Sequence, residues 1–237
     1  MPDPIVLPRL TRVRGAGARS TTWWGRAFVR SFEELTVEAG DLLTARALAR
    51  SGRLGAIVVL EAMSSAVVDP GSTQPLMAQI RVDRLDARGW TTFAREAARE
   101  SGYAAALEAG ELPVDLVEHA DEAGAEVLPG PGDIDTACEC DAWAQPCLHV
   151  LALLYQLAWA VDRDPYVLLL LRGRTREALL AEVSALASGL AAPGVEEREQ
   201  ARIRAAQVLA LAEDAPTGHG LADATVAAYD EAVARLL

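Results

Sequence analysis

The stretch CECDAWAQPCLH, from Cys138 to His149, decides most of what the sequence predicts about the fold. It contains all three cysteines of the 237-residue chain and one of its three histidines. Cys138 and Cys140 lie two positions apart, and so do Cys147 and His149. Thiolate and imidazole are good ligands for zinc, and four of them complete a tetrahedron. The spacing therefore predicts one structural zinc ion held by these four residues.

Three other interpretations of the cysteines stay open. Unpaired cysteines are commonly inert core residues. A redox centre is a second interpretation, although the usual spacing is CxxC and here it is CxC. Cys147 and His149 could also form a nucleophile and its base, but side chains two apart on a helix point away from each other. Zinc binding is favoured because four ligand types in this order rarely coincide by chance.

The residues on either side of the cluster predict a strand, a tight turn and a helix. Residues 134–139 alternate in the manner of a strand that enters a turn. Pro146 stands where a first helical residue would, and an apolar helix is expected to continue to Val161. That helix is apolar on nearly every face, so we expect it to be buried within one compact unit.

Further from the cluster, the pattern alternates between strands and helices. GAIVVLEA, SAVVDPGS and PLMAQIRV are short β-branched stretches that predict an antiparallel meander. Helical patterns cover TTWWGRAFVRSFEEL, DLLTARALARSGRLG, residues 86–109 and LPVDLVEHADEAG, and PYVLLLLR forms another helix that Gly173 ends. The predicted fold class is α+β: a short antiparallel β-meander with helices, a zinc-binding β-hairpin and helix, and a helical C-terminal half.

Three regions are predicted along the chain. Residues 1–20 contain proline, glycine and arginine without periodicity and indicate a flexible basic arm. Residues 21–182 form the α+β region, with the zinc finger at 134–161. Residues 183–237 are predicted to be a helical C-terminal extension, since their pattern is amphipathic with breaks at AAPGVEE and EDAPTGHG.

The charge of the chain is negative and unevenly distributed. The formal net charge is −12, and residues 101–137 contain nine acidic side chains and no basic one. All 22 basic residues are arginine, and residues 1–53 contain nine of them against five acids. Nucleic acid is therefore repelled by the chain as a whole, and only a local patch could bind phosphate. Two such patches are the arm and the cluster formed by Arg172, Arg174 and Arg176. A favoured alternative for Arg172 is that it complements the C-terminus of the helix that ends before Gly173.

The zinc-ligand pattern resembles a known signature. The signature of the SWIM zinc finger is CxC, followed by a short spacer and CxH. WWGRAFVRSFEEL, LTARALARSGRLG, LEAGELPVDLVEHADEAG and HVLALLYQLAWAVDRDPYVLLLLRGRTREALL are also similar to segments of bacterial SWIM zinc finger family proteins, so the resemblance covers about residues 20–182. By that resemblance Cys138, Cys140, Cys147 and His149 match the family's zinc ligands one for one.

Two positions depart from the family pattern. Leu148 stands where relatives often have lysine, and Asp141 stands where they often have proline. The missing lysine removes a phosphate contact and weakens a nucleic-acid role. Trp143, inside the turn, is expected to pack over the metal site. Trp23 and Trp24 are expected to anchor the first helix in the core.

The sequence favours a binding protein over an enzyme. It contains no GxGxxG after a strand, no GxxxxGK[ST], no HExxH and no GxSxG, and four protein ligands leave no open position on the zinc. The resemblance implies an interaction module that binds protein or nucleic acid, often linked in bacteria with Swi/Snf-type helicase-like ATPases. We expect a protein partner. The alternative is a DNA-binding accessory protein that uses the arm and the arginine cluster.

The expected location is the cytoplasm. The most apolar run, Val150 to Val161, is too short to cross a bilayer. The N-terminal residues are interrupted by prolines and lack the apolar core of a signal peptide. An odd, clustered set of cysteines does not suit a disulfide framework, which leaves a reducing compartment as the expectation.

Overall fold

The computed structural model describes residues 4–11, 20–36, 39–69 and 71–191. Strands and helices both contribute to these residues, so the predicted α+β class is confirmed. The strands are β1 (Ile5–Leu7), β2 (Leu54–Leu60), β3 (Met63–Val68), β4 (Leu76–Val82) and β5 (Ile134–Cys138). The helices are α1 (Trp23–Glu33), α2 (Ala39–Arg50), α3 (Ala87–Arg99), α4 (Ser101–Glu108), α5 (Val114–Glu122), α6 (Leu148–Arg163), α7 (Tyr166–Leu171) and α8 (Arg176–Ala191).

The five strands form one antiparallel sheet whose spatial order follows the chain. One row of paired residues crosses the whole sheet: Val6, Val58, Ser65, Gln79 and Ala137. The predicted meander is β2, β3 and β4. The strand before the metal-site turn, β5, pairs with β4 instead of forming a local hairpin. The reason is that β4 offers an unpaired edge, whereas the short turn after β5 contains no second strand.

Part of the predicted flexible arm is ordered. Ile5–Leu7 is the edge strand β1, so the prediction of a flexible arm is wrong for these residues. Three residues are too few to show an alternating pattern, and their conformation comes from the distant partner strand β2. The Arg9 guanidinium continues this attachment by donating hydrogen bonds of 3.0 and 2.6 Å to the carbonyl oxygen of Gly52. Residues 12–19 of the predicted arm lie outside the described residues.

Helix α6 is the centre of the larger hydrophobic core. Every residue from Val150 to Val161 is buried, as its all-round apolar sequence predicts. The helix packs against the sheet and against α1 and α2. Its one amide side chain, Gln156, donates a 2.7 Å hydrogen bond to the carbonyl oxygen of Ala49. Among the described helices, none is both long enough and apolar enough to span a membrane.

A second hydrophobic core lies among α3, α5, α7 and α8. Its buried members include Phe93, Leu116 and Leu169. Helix α7 belongs to both cores, because Leu168 packs in the first core while Leu169 packs in the second. Helix α8 runs through residue 182, where the sequence predicts that the α+β region ends, and Val183 is buried in the second core. The remainder of the predicted extension, residues 192–237, lies outside the described residues.

Candidate metal centre

The four predicted ligands come from two elements that meet at one end of the larger core. Cys138 is the last residue of β5, and Cys140 follows it in the turn. Cys147 is the N-cap residue of α6, and His149 is the second residue of that helix. Helix α6 begins two residues after Pro146, the residue expected to start it. Because β5 pairs with β4 and α6 is buried in the core, both ligand pairs are positioned by well-packed elements.

The ligand atoms of the four residues converge. The three Sγ atoms and the imidazole nitrogen all lie within 4.8 Å of one another. The Sγ of Cys138 is 3.8 Å from Nδ1 of His149. In a tetrahedral site with zinc–sulfur bonds of about 2.3 Å, neighbouring sulfurs are about 3.8 Å apart. The residues therefore fit a single four-coordinate metal ion, and the structure brings together all four candidates that the sequence predicts.

The environment of the thiols changes their acidity in opposite directions. Burial raises the pKa of Cys138 to about 12, and burial also raises the pKa of Cys147. Burial also acts to raise the pKa of Cys140. The backbone N–H of Ala142 and the neighbouring thiols donate hydrogen bonds to its sulfur, and these outweigh burial, so the pKa of Cys140 is lowered. One thiol of the three therefore ionises more readily than a free cysteine. A divalent cation between them would favour the thiolate form at all three positions.

The surroundings of the His149 imidazole favour its neutral form. Burial lowers the pKa of His149, and the positive charge of Arg53 lowers it further, against a smaller opposite effect of Asp69. Neutral imidazole is the form that binds metal. Arg53 and Asp69 form an ion pair with an Nε–Oδ1 distance of 2.7 Å. Neither residue could be identified from the sequence, because both lie far from His149 along the chain and belong to no recognisable motif.

The turn between the ligand pairs is anchored to the sheet. Glu139 continues the β4 pairing: its backbone N–H donates to the carbonyl oxygen of Met77 at 3.2 Å, and its carboxylate accepts from the Met77 N–H at 2.9 Å. The N–H of Cys147 donates to Oε1 of Gln145 at 3.1 Å. Leu148, between two of the candidate ligands, packs against the larger core. These contacts fix both ends of the turn.

Trp143 does not pack over the metal site. Its side chain is 93% exposed, so the expectation of a packed position is wrong. Trp23 and Trp24, in contrast, are half-buried, and their indole N–H groups donate to carbonyl oxygens of Leu112 and Val161. The difference follows from the backbone, since residues 141–143 all face solvent at the tip of the turn. A sequence pattern does not show on which side of a turn its residues lie.

The first candidate nucleic-acid contact, Arg172, lies inside the protein. Only 4% of it is exposed, and its guanidinium donates to the carbonyl oxygens of Asp83 at 2.5 Å and Glu126 at 2.8 Å. Burial lowers its pKa, although the carboxylate of Asp133 opposes this effect. The suggestion that Arg172 contacts phosphate is therefore wrong. Its position is decided by loops distant in sequence, whose carbonyl oxygens need a donor.

The other two candidate arginines are also engaged within the protein. Arg174 forms an ion pair with Glu182, and its guanidinium lies 5.9 Å from the centre of the Trp90 ring. Arg176 donates to the carbonyl oxygen of Glu108 at 2.6 Å and lies 4.7 Å from the centre of the Tyr166 ring. Arg174 is partly buried and Arg176 is exposed. The structure therefore does not arrange the three arginines as one phosphate-binding surface.

Comparison with known proteins identifies a similar protein whose activity is not described by its name. The chain is similar to the uncharacterized protein Rv2102 of Mycobacterium tuberculosis, with 32% identity over 185 residues. The match covers 78% of this chain and 66% of that protein, so the chain spans just under two thirds of the relative's length. No protein-family model matches the chain, and no solved structure matches it. The assignment of the metal centre therefore rests on its own geometry.

Proposed function

We propose that the chain is a non-enzymatic, zinc-binding interaction module of the SWIM type. The observation that carries the proposal is the convergence of three cysteines and one histidine, whose ligand atoms lie within 4.8 Å of one another. Three sulfur donors and one imidazole suit zinc, whereas magnesium and calcium prefer oxygen ligands. The order CxC then CxH agrees with the resemblance to the SWIM finger.

The proposed role of the metal is structural. Four protein donors close a tetrahedral site and leave no position for water or substrate. Zinc, when bound, supplies a cross-link between the end of β5 and the start of α6. The chain's own contribution is to hold the ligands rigidly, through the pairing of Glu139 with Met77 and the burial of α6. Reduced thiols are required, so the cytoplasm is the proposed compartment.

The proposed partner is a protein. Trp143 is 93% exposed at the tip of the metal-site turn, and large aromatic side chains are the residues that most often dominate protein interfaces. The metal would hold the turn that presents this side chain. The family resemblance adds a candidate class of partner, a Swi/Snf-type helicase-like ATPase.

Direct DNA binding is the less favoured of the two functions. Affinity for DNA comes mainly from neutralising phosphates, and the chain has a net charge of −12. Arg172 is buried, and Arg174 and Arg176 bind groups of the protein itself. We expect labelled duplex DNA to bind weakly near physiological salt in a titration at two salt concentrations. Submicromolar binding at the higher concentration would reverse this ranking.

Metal analysis tests the proposal. Purified full-length protein is expected to contain about one zinc ion per chain, and replacement by cobalt should give the absorption of a tetrahedral thiolate site. His149→Gln should lower the zinc content and change the cobalt spectrum. His119→Gln is the matched control, because His119 contacts Tyr103 and lies outside the centre. Folded protein that contains no metal and takes up no cobalt would contradict the proposal.

A further inference from the structure

A groove of about 400 Å³ lies along α5 and the loop that follows it. None of the four metal-ligand candidates lines this α5 groove. Its lining combines two kinds of residue. One wall is apolar and includes Trp23, Val114 and Leu128, and the rim has three carboxylates, those of Glu118, Asp121 and Glu126.

The apolar wall is rigid and accessible. Val114 is the first residue of α5, and 42% of it is exposed. The Trp23 indole is fixed in the groove because its Nε1–H donates a 2.8 Å hydrogen bond to the carbonyl oxygen of Leu112. Beneath them, Val117 and Val127 are buried. An apolar side chain entering the groove would therefore meet a preformed surface, which lowers the entropic cost of binding.

The rim of the α5 groove is uniformly acidic. Glu118, Asp121 and Glu126 are exposed, and within the described part of the chain none of them forms an ion pair with an arginine. The lining contains no basic side chain. Arg172 holds the carbonyl oxygen of Glu126 at 2.8 Å and so fixes the loop that carries this carboxylate. The negative charge is therefore concentrated around a rigid apolar surface.

We propose that the α5 groove binds a segment of a partner protein in which an apolar anchor side chain is flanked by arginines or lysines. The apolar wall suits the anchor, and the carboxylates attract the flanking cations. The same carboxylates repel the phosphates of nucleic acids and of anionic lipids. The inference rests on the proposed function in one respect, that the partner is a protein.

A synthetic peptide tests the groove directly. The probe is a labelled ten-residue peptide with two leucines at its centre and two arginines at each end, titrated against the metal-loaded full chain. One matched peptide has glutamates in place of the arginines, and the other has serines in place of the leucines. We expect the probe to bind at least tenfold more tightly than either matched peptide, and less tightly as salt is raised.

Variants of the protein locate the binding site. The triple variant Glu118→Gln, Asp121→Asn, Glu126→Gln should weaken probe binding by about tenfold, because each exposed charge contributes a small amount. Val114→Ser should also weaken it. The control is Glu34→Gln, Glu100→Gln, Glu177→Gln, which makes the same change in charge at exposed positions outside the groove and should leave affinity unchanged within about twofold.

Equal affinity for the three peptides, or for the two triple variants, would overturn the inference. Two further results would overturn it in favour of another occupant. One is self-association of the protein that the triple variant of Glu118, Asp121 and Glu126 abolishes, and the other is DNA binding that is stronger than probe binding. Zinc content is measured on the same samples. Protein that contains one zinc per chain but does not bind the probe would contradict only the proposal for the α5 groove. Probe binding by folded protein that contains no metal as purified and takes up no cobalt would contradict the proposed metal function and leave the proposal for the α5 groove standing.

Discussion

The two ends of α6 are attached to the rest of the molecule by different chemistry. At the C-terminal end, the Asp162 carboxylate accepts hydrogen bonds from both backbone N–H groups of Thr21 and Thr22 at 2.8 Å, and from their hydroxyls at 3.0 and 2.6 Å. At the N-terminal end, Cys147 and His149 face two further metal-ligand candidates, with all ligand atoms within 4.8 Å. The first attachment is complete within the protein, whereas the second consists of metal-ligand candidates that a bound ion would join.

Burial alone does not determine how firmly a helix end is fixed. The residues between the two ends, Val150 to Val161, are buried throughout. Burial gives the helix most of its stability but little directional information, since apolar contacts are not directional. Direction comes from the polar groups at the two ends. We therefore expect the C-terminal attachment to depend on pH and the N-terminal attachment to depend on metal and on reduced thiols.

The largest effect is expected at the metal end. Cys140→Ser should lose zinc and lower the free energy of unfolding by about 4 kcal/mol, because a structural metal site stabilises only the folded state. Hydrogen exchange should show loss of protection from β5 into the first turns of α6, while the Asp162 end keeps its protection. The control Ala142→Ser changes an exposed residue of the same turn that supplies no metal-ligand side chain. Unchanged protection across residues 134–161 in Cys140→Ser would show that the metal is not structural.

The second effect is expected at the carboxylate end. Asp162→Ala removes the acceptor of all four hydrogen bonds and should lower the free energy of unfolding by about 2 to 3 kcal/mol. Urea denaturation measures this change, and Glu34→Gln, at an exposed site, is the control. Zinc content should remain the same. If hydrogen exchange in Asp162→Ala increased at the metal turn instead of at the start of α1, the two ends would not be independent.

A smaller effect follows from the acidity of Asp162. Burial acts to raise its pKa, but the hydrogen bonds from Thr22 and Thr21 outweigh burial, so the pKa lies below its ordinary value. A carboxyl with a lowered folded-state pKa stabilises the protein above the unfolded pKa of about 3.9, and this contribution is lost as pH falls through the folded pKa. The stability advantage over Asp162→Asn should therefore shrink below about pH 4. Urea denaturation of both proteins at several pH values tests this, and an advantage independent of pH would contradict it.

The smallest effect on stability is expected at Trp143. Because this side chain is 93% exposed, Trp143→Ala should change the free energy of unfolding by less than about 0.5 kcal/mol and leave zinc content unchanged. Crosslinking in native cells should nevertheless recover several-fold less of the partner, and Trp143→Phe should retain more of it. A large loss of stability in Trp143→Ala would show that the turn is packed rather than exposed.

Local patterns predict several features of the structure correctly. The helix predicted to end at Gly173 does so, and this glycine has a positive φ of +95°, which glycine adopts without strain. The three meander strands and the buried helix α6 follow from periodicity and composition. Pairings between distant segments could not be predicted in this way. β1 joins β2 and β5 joins β4 because free strand edges pair, and no local pattern specifies which edge is free.

For the candidate site, the side chains that can bind a metal follow from the sequence, because their chemical type and spacing are local properties. The burial of α6 also follows from the sequence, since a helix without a polar face has nowhere else to lie. In contrast, the exposure of Trp143, the burial of Arg172 and the attachment of α1 to Asp162 follow from the folded arrangement of the chain. Each of these outcomes depends on groups from segments far apart in the chain. Their hydrogen-bonding and packing partners exist only once the fold has brought them together.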